Sequence, residues 1–440
     1  MPETISPKYL SQYLSRSSDS SNSIDIAVIG AGPQALTLAA HLLQKRKSWG
    51  DRFRVFDPSG VWLSQWRHQF AALEIPHLRS PAVHNPASNP FALRDFAQTH
   101  PQELYPPYDL PGTKLFIDFC DRLIADHQLQ DHLVPAQVES IVPLEKGFQL
   151  WLGDGSMILA RRVVVANGGG RKSLPDWVQE ISTPYPSDRL QHSSEVDLRA
   201  LHCRGERILI IGSGLTSGHL AIGAAKRGAK VTMIARRVFY EKFFDAEPGW
   251  LGPKYLKDFH QESCWLARSQ TVINARNGGS LTPAVFTHLR RLKAEGKIEF
   301  IENCEIKQAR WENNNLGNHL GHNLGNNLDN NLKASWQLTC SDREKLECDR
   351  LWLATGSTLK IQEQPLLAPL LVTNPLEVVN GLPVLTTHLR WGNCELYLMG
   401  GLAALQIGPT ARNLSGARMA SERIVDALIK PRAFQPLIAA

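Results

Sequence analysis

From residue 24 onward, short apolar runs alternate with glycine turns and with apolar residues at helical spacing. Residues 24–29 form a branched apolar run typical of a buried strand, and the turn that follows is rich in glycine. Apolar residues then recur at helical spacing from Leu36 to Leu43, before a second apolar run at 53–56. This order of strand, turn, helix and strand predicts the start of a doubly wound α/β sheet.

The same order of elements returns near the middle of the chain. An apolar strand at 207–211 leads into a glycine turn at 212–218, and a helix at 220–228 precedes a further strand at 231–234. The first repeat ends at an acidic residue, whereas this one ends at two arginines. A single chain therefore carries two dinucleotide-type folds of the same design.

Two more apolar strands, at 162–166 and 351–354, flank the second repeat and predict where the chain leaves and re-enters the first domain. The predicted fold class is therefore α/β, with two Rossmann-like dinucleotide-binding domains, the second inserted in the first. The first domain is expected to comprise 24–204 and 346–430, and the second 205–345.

Two segments fall outside this pattern. Residues 1–23 are polar and rich in serine, which predicts a flexible N-terminal tail without the apolar region of a secretory signal. Residues 313–332 are rich in asparagine and glycine, with leucine at every fourth position. Because Gly and Asn are poor residues for a helix interior, we expect a low-complexity loop there.

Composition and charge exclude several classes of protein. The 440 residues are 43% hydrophobic and 20% charged, which is ordinary for a globular protein with a core. No segment approaches the ~20 apolar residues that span a bilayer, so no membrane association is expected. The net charge of +6 is spread along the chain, which suits an anionic small ligand and gives no reason to expect a nucleic-acid partner.

Cysteine usage points to a reducing compartment. The seven cysteines include no Cys-x-x-Cys pair, which argues against a disulfide scaffold, a zinc site and a dithiol redox centre. We therefore expect free thiols, no bound metal and a cytoplasmic location.

The first glycine turn has the residues that a dinucleotide needs. Gly30 permits the tight turn, Gly32 lets the backbone approach a pyrophosphate, and Ala35 takes the third position, where helix and strand lie close. The N-terminus of the following helix offers unpaired N–H groups to the phosphates. Asp57, at the end of the second strand, is placed to accept hydrogen bonds from ribose hydroxyls.

In the second turn, Gly212 and Gly214 repeat the first two roles, and Ser217 takes the third position. Arg236 and Arg237 stand where the first fold has its acid. A guanidinium binds a 2′-phosphate by charge-assisted hydrogen bonds, so this site favours NADPH over NADH. Two such folds in one chain suggest a tightly held FAD in the first domain and an exchanging NADPH in the second.

The segment Gly30-x-Gly32-Pro33-x-x-Leu36 resembles the FAD turn of the class B flavin monooxygenases. That group includes the flavin-containing monooxygenases and the siderophore lysine and ornithine N-monooxygenases. Further segments are similar to motifs of the same family: Gly60-Val61-Trp62 with Trp66, the linker at 191–194, the segment 349–356 with its Leu-Ala-Thr-Gly ending, and the glycine–proline turn at 408–413.

The resemblance implies site residues beyond the two glycine turns. The implied cofactor contacts are Pro33, Trp66, Gly168, Thr355, Gly356 and Asn413. The residues implied to lie near the chemistry are Asn167, His192 and Arg79. By spacing, Glu74 and Arg79 stand where the N-hydroxylases carry a flavin-facing glutamine and a substrate-binding lysine. Arg79 is therefore expected to hold a substrate carboxylate, whereas Glu74 weakens the case for lysine or ornithine as the substrate.

The family chemistry implies that NADPH reduces FAD and that a C4a-hydroperoxyflavin transfers one oxygen atom of O₂ to a substrate. We therefore predict an FAD-containing, NADPH-dependent monooxygenase that hydroxylates a small amine or amino acid. Two alternatives stay open: an NADPH reductase or oxidase without hydroxylation, and a non-catalytic flavoprotein that senses NADPH. Analogy with the family also implies a homo-oligomer.

Overall fold

We describe the fold from a computed structural model of the chain, which covers residues 23–168, 170–276, 278–312, 334–341 and 343–429. The predicted tail, apart from residue 23, and the predicted loop at 313–332 lie outside these ranges. Within the described ranges, no helix combines the length and the apolar character needed to cross a bilayer. In the same ranges, no group of three or more His, Cys, Asp or Glu side chains is arranged to hold a metal ion.

The described residues form strands and helices that alternate along much of the chain. The strands, numbered β1 to β21 in chain order, are Ser23–Ile29, Phe53–Phe56, Leu104–Tyr105, Leu110–Pro111, Leu133–Val134, Val138–Leu144, Gly147–Leu152, Met157–Val165, Arg171–Lys172, Leu190–His192, Arg207–Ile211, Lys230–Ile234, Ile298–Ile301, Ile306–Glu312, Ser335–Cys340, Arg343–Cys348, Arg350–Leu353, Ser357–Thr358, Val378–Val379, Leu382–Pro383 and Leu396–Leu398. The helices, numbered α1 to α11, are Pro33–Lys45, Ser64–Ala72, Ala92–Phe96, Thr113–Asp126, Leu215–Lys226, Pro253–Gln261, Trp265–Arg276, Pro283–Ala294, Ala368–Thr373, Ala404–Ile407 and Leu414–Ile429.

The first sheet has the strand order β5-β2-β1-β8-β7-β6, with β21 on β8 as well. Strand β1 lies parallel to β2 and to β8, so that Ile29 is level with Phe56 on one side and with Val165 on the other. Strand β21 comes from the C-terminal part of the chain and pairs parallel to β8. These strands are rich in buried, branched apolar residues because helices cover a parallel sheet. The prediction of a first dinucleotide fold completed by the C-terminal segment is thus confirmed.

The second sheet is parallel throughout its described strands, in the order β10-β17-β11-β12-β13. The insertion of a second dinucleotide fold is confirmed, but its strands differ from those predicted. The predicted boundaries place strand β10 at 190–192 and strand β17 at 350–353 in the first domain, whereas both belong to the second sheet. Strand β17 pairs with β11 on one side and with β10 on the other, which places both β10 and β17 in the second sheet. Because it is flanked on both sides, β17 is buried along its whole length.

The third sheet is an antiparallel arrangement of β14, β15 and β16. In it, the pairing of Ile306 with Cys340 brings Cys304 beside Cys340, with their Cα atoms 6.1 Å apart, and the two cysteines form a disulfide. The expectation of free thiols is therefore wrong for this pair. The two residues are 36 positions apart, so only the strand register reveals their proximity. The other described cysteines are free.

A buried histidine, His41, and a half-buried one, His84, lie around Arg418, where the loop at 80–90 packs on α1 and α11. Arg418 donates to the carbonyl oxygens of Ser88 at 2.8 Å and Ala87 at 2.9 Å. Burial, with a smaller contribution from the charge of Arg418, lowers the pKa of His41 to about 4. Burial also lowers the pKa of His84 to about 4, again with a contribution from Arg418. Both imidazoles are therefore neutral in the folded protein near pH 7.

We expect acid to destabilise the fold through His41. A histidine in the unfolded chain takes up a proton near pH 6.5, whereas His41 in the folded state does so near pH 4. The stability that comes from keeping His41 neutral is therefore complete above pH 6.5 and is lost as the pH falls towards 4. Between pH 7 and pH 5, His41→Gln should reduce the acid-induced loss of unfolding free energy by about 2 kcal/mol.

Urea unfolding at the two pH values measures this difference. The matched control is His68→Gln, because His68 is exposed and should leave the pH dependence unchanged. An equal pH dependence in the wild type and His41→Gln would contradict the argument.

Candidate active site

The first glycine turn, between β1 and α1, is shaped by the close approach of a neighbouring strand end. The Gly30 N–H donates to the Phe56 carbonyl at 2.8 Å, and Gly30 has a φ of +98°. A Cβ atom on Gly30 would lie 2.7 Å from the Cα of Asn167. At Gly32, by contrast, an added Cβ would meet no atom within 4 Å. The backbone is therefore open just before Pro33, the first residue of α1, where a pyrophosphate would approach.

The carboxylate of Asp57 is held at the end of β2 by this same turn. One of its oxygens accepts a hydrogen bond from the Ala31 N–H at 3.0 Å, and the other accepts from the N–H and Oγ of Ser59 at 3.0 and 2.6 Å. Ala35 is completely buried in the first core, as expected at a close contact between helix and sheet. The structure thus brings the predicted residues of the first turn together at one end of the first sheet.

Gln34, which is not among the predicted site residues, joins this turn to the C-terminal part of the chain. Its Nε2 donates to the carbonyl oxygens of Ala411 at 3.4 Å and Asn413 at 3.5 Å. Its Oε1 is buried and has no hydrogen-bond partner in the described part of the chain. Asn413, as predicted, precedes α11, and its carbonyl accepts from the Ala417 N–H at 2.9 Å. Gln34 occupies a variable position of the glycine motif, so the sequence gives no sign that it contacts the C-terminal turn.

His192 anchors the strand end that lies between the two domains. Its Nε2 lies 3.0 Å from the carbonyl oxygen of Gly356, and its Nδ1 lies 2.8 Å from Ser194 Oγ. Burial lowers the pKa of His192, which makes the neutral imidazole the folded form at pH 7. The Gly356 carbonyl also accepts from the Ser173 N–H at 3.0 Å, and Thr355 Oγ1 donates to the Ser173 carbonyl. With both ring nitrogens engaged, His192 positions the loop at Gly356, and its place near the chemistry stays a prediction.

The second glycine turn repeats the first one at the carboxyl end of β11. Gly212 has a φ of +145°, and a Cβ atom there would lie 2.4 Å from the carbonyl oxygen of Ala354. Gly214 precedes α5, and Ser217 Oγ donates to the Gly214 carbonyl at 2.6 Å. The close packing expected at the third position occurs one residue later, where a Cβ atom on Gly218 would lie 2.7 Å from Val285. Ser217 therefore caps the turn, and Gly218 lets α8 approach.

The two arginines after β12 differ in their surroundings. The Arg237 Nη2 donates to the carbonyl of Gly279 at 2.9 Å, and its guanidinium lies 5.2 Å from the ring centre of Tyr240. Arg236 is exposed at the end of the strand. Because Gly279 also packs on Gly214, Arg237 braces the rim of the second turn, and Arg236 is the guanidinium that solvent reaches.

Arg79 does not present its guanidinium to a substrate, contrary to the prediction. Its Nη1 pairs with Asp245 at 2.6 Å, its Nε donates to the Phe243 carbonyl at 2.9 Å, and its Nη2 donates to the Lys242 carbonyl and to Ser280 Oγ. All of these partners belong to the second domain. The predicted substrate residue is therefore an interdomain brace.

Glu74, placed by spacing beside a flavin, also contacts the second domain. Its carboxylate pairs with Arg227 at the end of α5 at 2.7 Å. The Arg227 hydrogen bond, ahead of the opposing effect of burial, holds the pKa of Glu74 below its ordinary value. The segment 73–79 is thus a clasp between domains rather than a wall of a flavin site.

Trp66 and Gly168 are two further predicted cofactor residues. Trp66 is half-buried and stacks on Phe70 with ring centres 3.9 Å apart, while Phe116 lies 5.1 Å away. Gly168 is exposed with a φ of +77°, just beyond the Asn167 that backs the first turn. Gly168 lies at the same end of the first sheet as the glycine turn, and a cofactor role for either residue stays a prediction.

Residues 27–170 match the sequence profile of a family described as FAD-NAD(P)-binding. A search of curated protein sequences finds no relative that matches this chain. Among solved structures, the ornithine hydroxylase of Pseudomonas aeruginosa is 16% identical, with a TM-score of 0.70 over 92% of this chain and 98% of that one. The fold is that of the flavin-dependent N-hydroxylases.

Two other solved structures support this conclusion about the fold. The Kutzneria ornithine N-hydroxylase, described with reduced FAD, NADP⁺ and L-ornithine, is 17% identical, with a TM-score of 0.69 over 92% of this chain and 99% of that one. A flavin-containing monooxygenase from Stenotrophomonas maltophilia is 15% identical, with a TM-score of 0.58 over 93% and 98% of the two chains. The resemblance drawn from the glycine and Leu-Ala-Thr-Gly motifs is thereby confirmed for the fold.

We expect Gly30→Ala to destabilise the protein more than an alanine substitution at a glycine where only the positive φ disfavours a side chain. The added methyl group would meet the backbone of Asn167, which cannot move without shifting β8. The matched control is Gly155→Ala, because Gly155 has a φ of +81° but no atom within 4 Å of an added Cβ. The control should lose about 1 kcal/mol, and Gly30→Ala several times as much, by urea unfolding. Equal losses would show that the close approach is unimportant.

Proposed function

We propose that this chain is an FAD-containing, NADPH-dependent monooxygenase that hydroxylates a small amine or amino acid. The observation that carries the proposal is that the segments leaving β8 of the first sheet and β17 of the second, each beside a glycine turn, pair with one another. We call the space between the carboxyl ends of the two sheets the interdomain cleft. The short strands β9 and β18 connect these two ends, with Ser357 level with Lys172. Arg412, from the C-terminal turn beside Gln34, donates to Ser357 Oγ at 2.7 Å.

The first turn fits the demands of FAD. The open backbone at Gly32 and the N-terminus of α1 suit a pyrophosphate, and Asp57 suits ribose hydroxyls. The buried, unpartnered Oε1 of Gln34 is a polar atom that a bound group would satisfy. Asn413 and the N-terminus of α11 lie beside the same turn and would face the far end of the cofactor.

The second turn fits NADPH. Gly214 and the N-terminus of α5 suit the pyrophosphate, and the exposed Arg236 suits the 2′-phosphate, with Arg237 bracing the loop beside it. Bound FAD and NADPH would supply the redox chemistry. The chain then has to hold both cofactors and orient them across the cleft, and His192 fixes the loop at Gly356 between them. A cytoplasmic location and a homo-oligomeric state stay predictions.

The proposal predicts that NADPH oxidation by the FAD-loaded protein is stimulated by its substrate and yields a hydroxylamine. A panel of small amines and amino acids should be tested, with NADPH consumption, H₂O₂ and hydroxylamine counted in the same reaction. One hydroxylamine per NADPH, with little H₂O₂, supports oxygen transfer. H₂O₂ equal to the NADPH consumed for every compound would favour the oxidase alternative. A protein that binds both cofactors without oxidising NADPH would favour the sensor.

Arg236→Ala should weaken the use of NADPH much more than that of NADH. A charge-assisted contact to the 2′-phosphate accounts for about a tenfold to hundredfold preference, and NADH lacks this group. The measurement is the KM for each nucleotide in flavin reduction. Arg291→Ala is the matched control, since Arg291 is an exposed arginine on α8 of the same domain. Equal losses for the two nucleotides would remove the 2′-phosphate argument.

A further inference from the structure

Two arginines pair with a single carboxylate, Asp245, and a third lies in the C-terminal turn that one of them contacts. We call Arg79, Arg276 and Arg412, together with Asp245, the arginine cluster. Arg276 ends α7, and Arg412 belongs to the turn before α11. The Arg79 Nη1 lies 2.6 Å from one Asp245 oxygen, and the Arg276 Nη2 lies 3.8 Å from the other. In the described part of the chain, no second carboxylate forms an ion pair with these guanidiniums.

The negative charge of Asp245 is largely committed to Arg79. Arg79 is nearly buried, with 11% of its side chain exposed, and every one of its guanidinium nitrogens donates to the second domain. Arg276 is more than 3.5 Å from Asp245, beyond hydrogen-bond distance, and its Nη1 donates to the Pro409 carbonyl at 3.0 Å. About two positive charges in the cluster are therefore uncompensated.

Arg412 is the member of the cluster that is open to a ligand. Its side chain is exposed, and its Nη2 donates a hydrogen bond to Ser357 Oγ at 2.7 Å. The surrounding protein lowers the pKa of Arg412, and the charge of Arg276 contributes to the same lowering. A guanidinium stays charged at any physiological pH, so Arg276 and Arg412 repel one another in the folded protein.

An anion would offset the repulsion between these arginines. The number of uncompensated positive charges indicates how many negative charges that anion carries. Because two positive charges remain, a ligand with two negative charges neutralises the cluster, whereas a second ammonium group would be repelled by it. Planar guanidiniums bind carboxylate and phosphate oxygens through pairs of hydrogen bonds. The phosphate-binding turns of the two cofactors begin elsewhere, at Gly32 and Gly214.

We propose that Arg276 and Arg412 bind a doubly negative part of the substrate, so that this enzyme acts on an amine bearing two carboxylates or a phosphate. The inference rests on the proposed function, because it assigns the substrate class of the same cleft. It sets this chain apart from the fold relatives described with ornithine, since the cluster disfavours a basic diamino acid.

The test is calorimetric titration of the FAD-loaded protein with L-aspartate, L-glutamate, O-phosphoethanolamine and L-ornithine. At least one acidic compound should bind about tenfold or more tightly than L-ornithine. Arg412→Gln and Arg276→Gln should each weaken that binding by about tenfold, and Arg412→Lys should keep more of it. The matched control is Arg122→Gln, because Arg122 is an exposed arginine on α4 outside the cluster.

Three results would overturn the inference. The first is binding of L-ornithine that is as tight as that of every acidic compound. The second is acidic binding that Arg412→Gln and Arg276→Gln leave unchanged. The third is a loss of FAD, or a raised KM for NADPH, in the two glutamine variants without a loss of acidic binding, since the anion would then be a cofactor phosphate. Because titration needs no turnover, failure of NADPH to reduce the flavin would sink the monooxygenase proposal separately.

Discussion

The structure depends on two places where a glycine backbone touches the end of a neighbouring strand. At Gly30 the neighbour is Asn167, and at Gly212 it is Ala354, and in both cases a Cβ atom would lie under 3 Å from the backbone. These contacts bring the carboxyl ends of parallel strands together without filling the space in front of the helices that follow. An open helix N-terminus at the edge of a parallel sheet results, and that is where a dinucleotide binds.

The two domains are joined by polar contacts and by apolar residues that pack into the core of the other domain, such as Leu73 in the second core and Phe259 in the first. The clasp at 73–79 reaches the second domain through Glu74 and Arg79, and His192 fixes the loop at Gly356. Separate apolar clusters form the cores of the domains. These contacts hold the carboxyl ends of the two sheets beside one another, where two ligands would meet.

Charge in the cleft follows from this arrangement. Arg79 pairs closely with Asp245, Arg276 lies farther from the same carboxylate, and Arg412 has no carboxylate partner among the described residues. The positive charge that remains is the basis for our proposal that neighbours of Arg79, from other elements, bind the substrate. The same fold in its relatives can therefore serve substrates of different charge, because fold and substrate preference are set by different residues.

The sequence by itself determined the α/β class, the two glycine turns and the acid and arginines that follow them. These are local features, since a strand, a turn and a helix adjacent along the chain fix one another's geometry. Only the tertiary structure decided that β17 belongs to the second sheet, that Cys304 meets Cys340, that Gln34 reaches the C-terminal turn, and that Arg79 contacts the second domain. Each of these depends on contacts between residues far apart in sequence. Spacing along one chain carries no information about which distant segments will pack together.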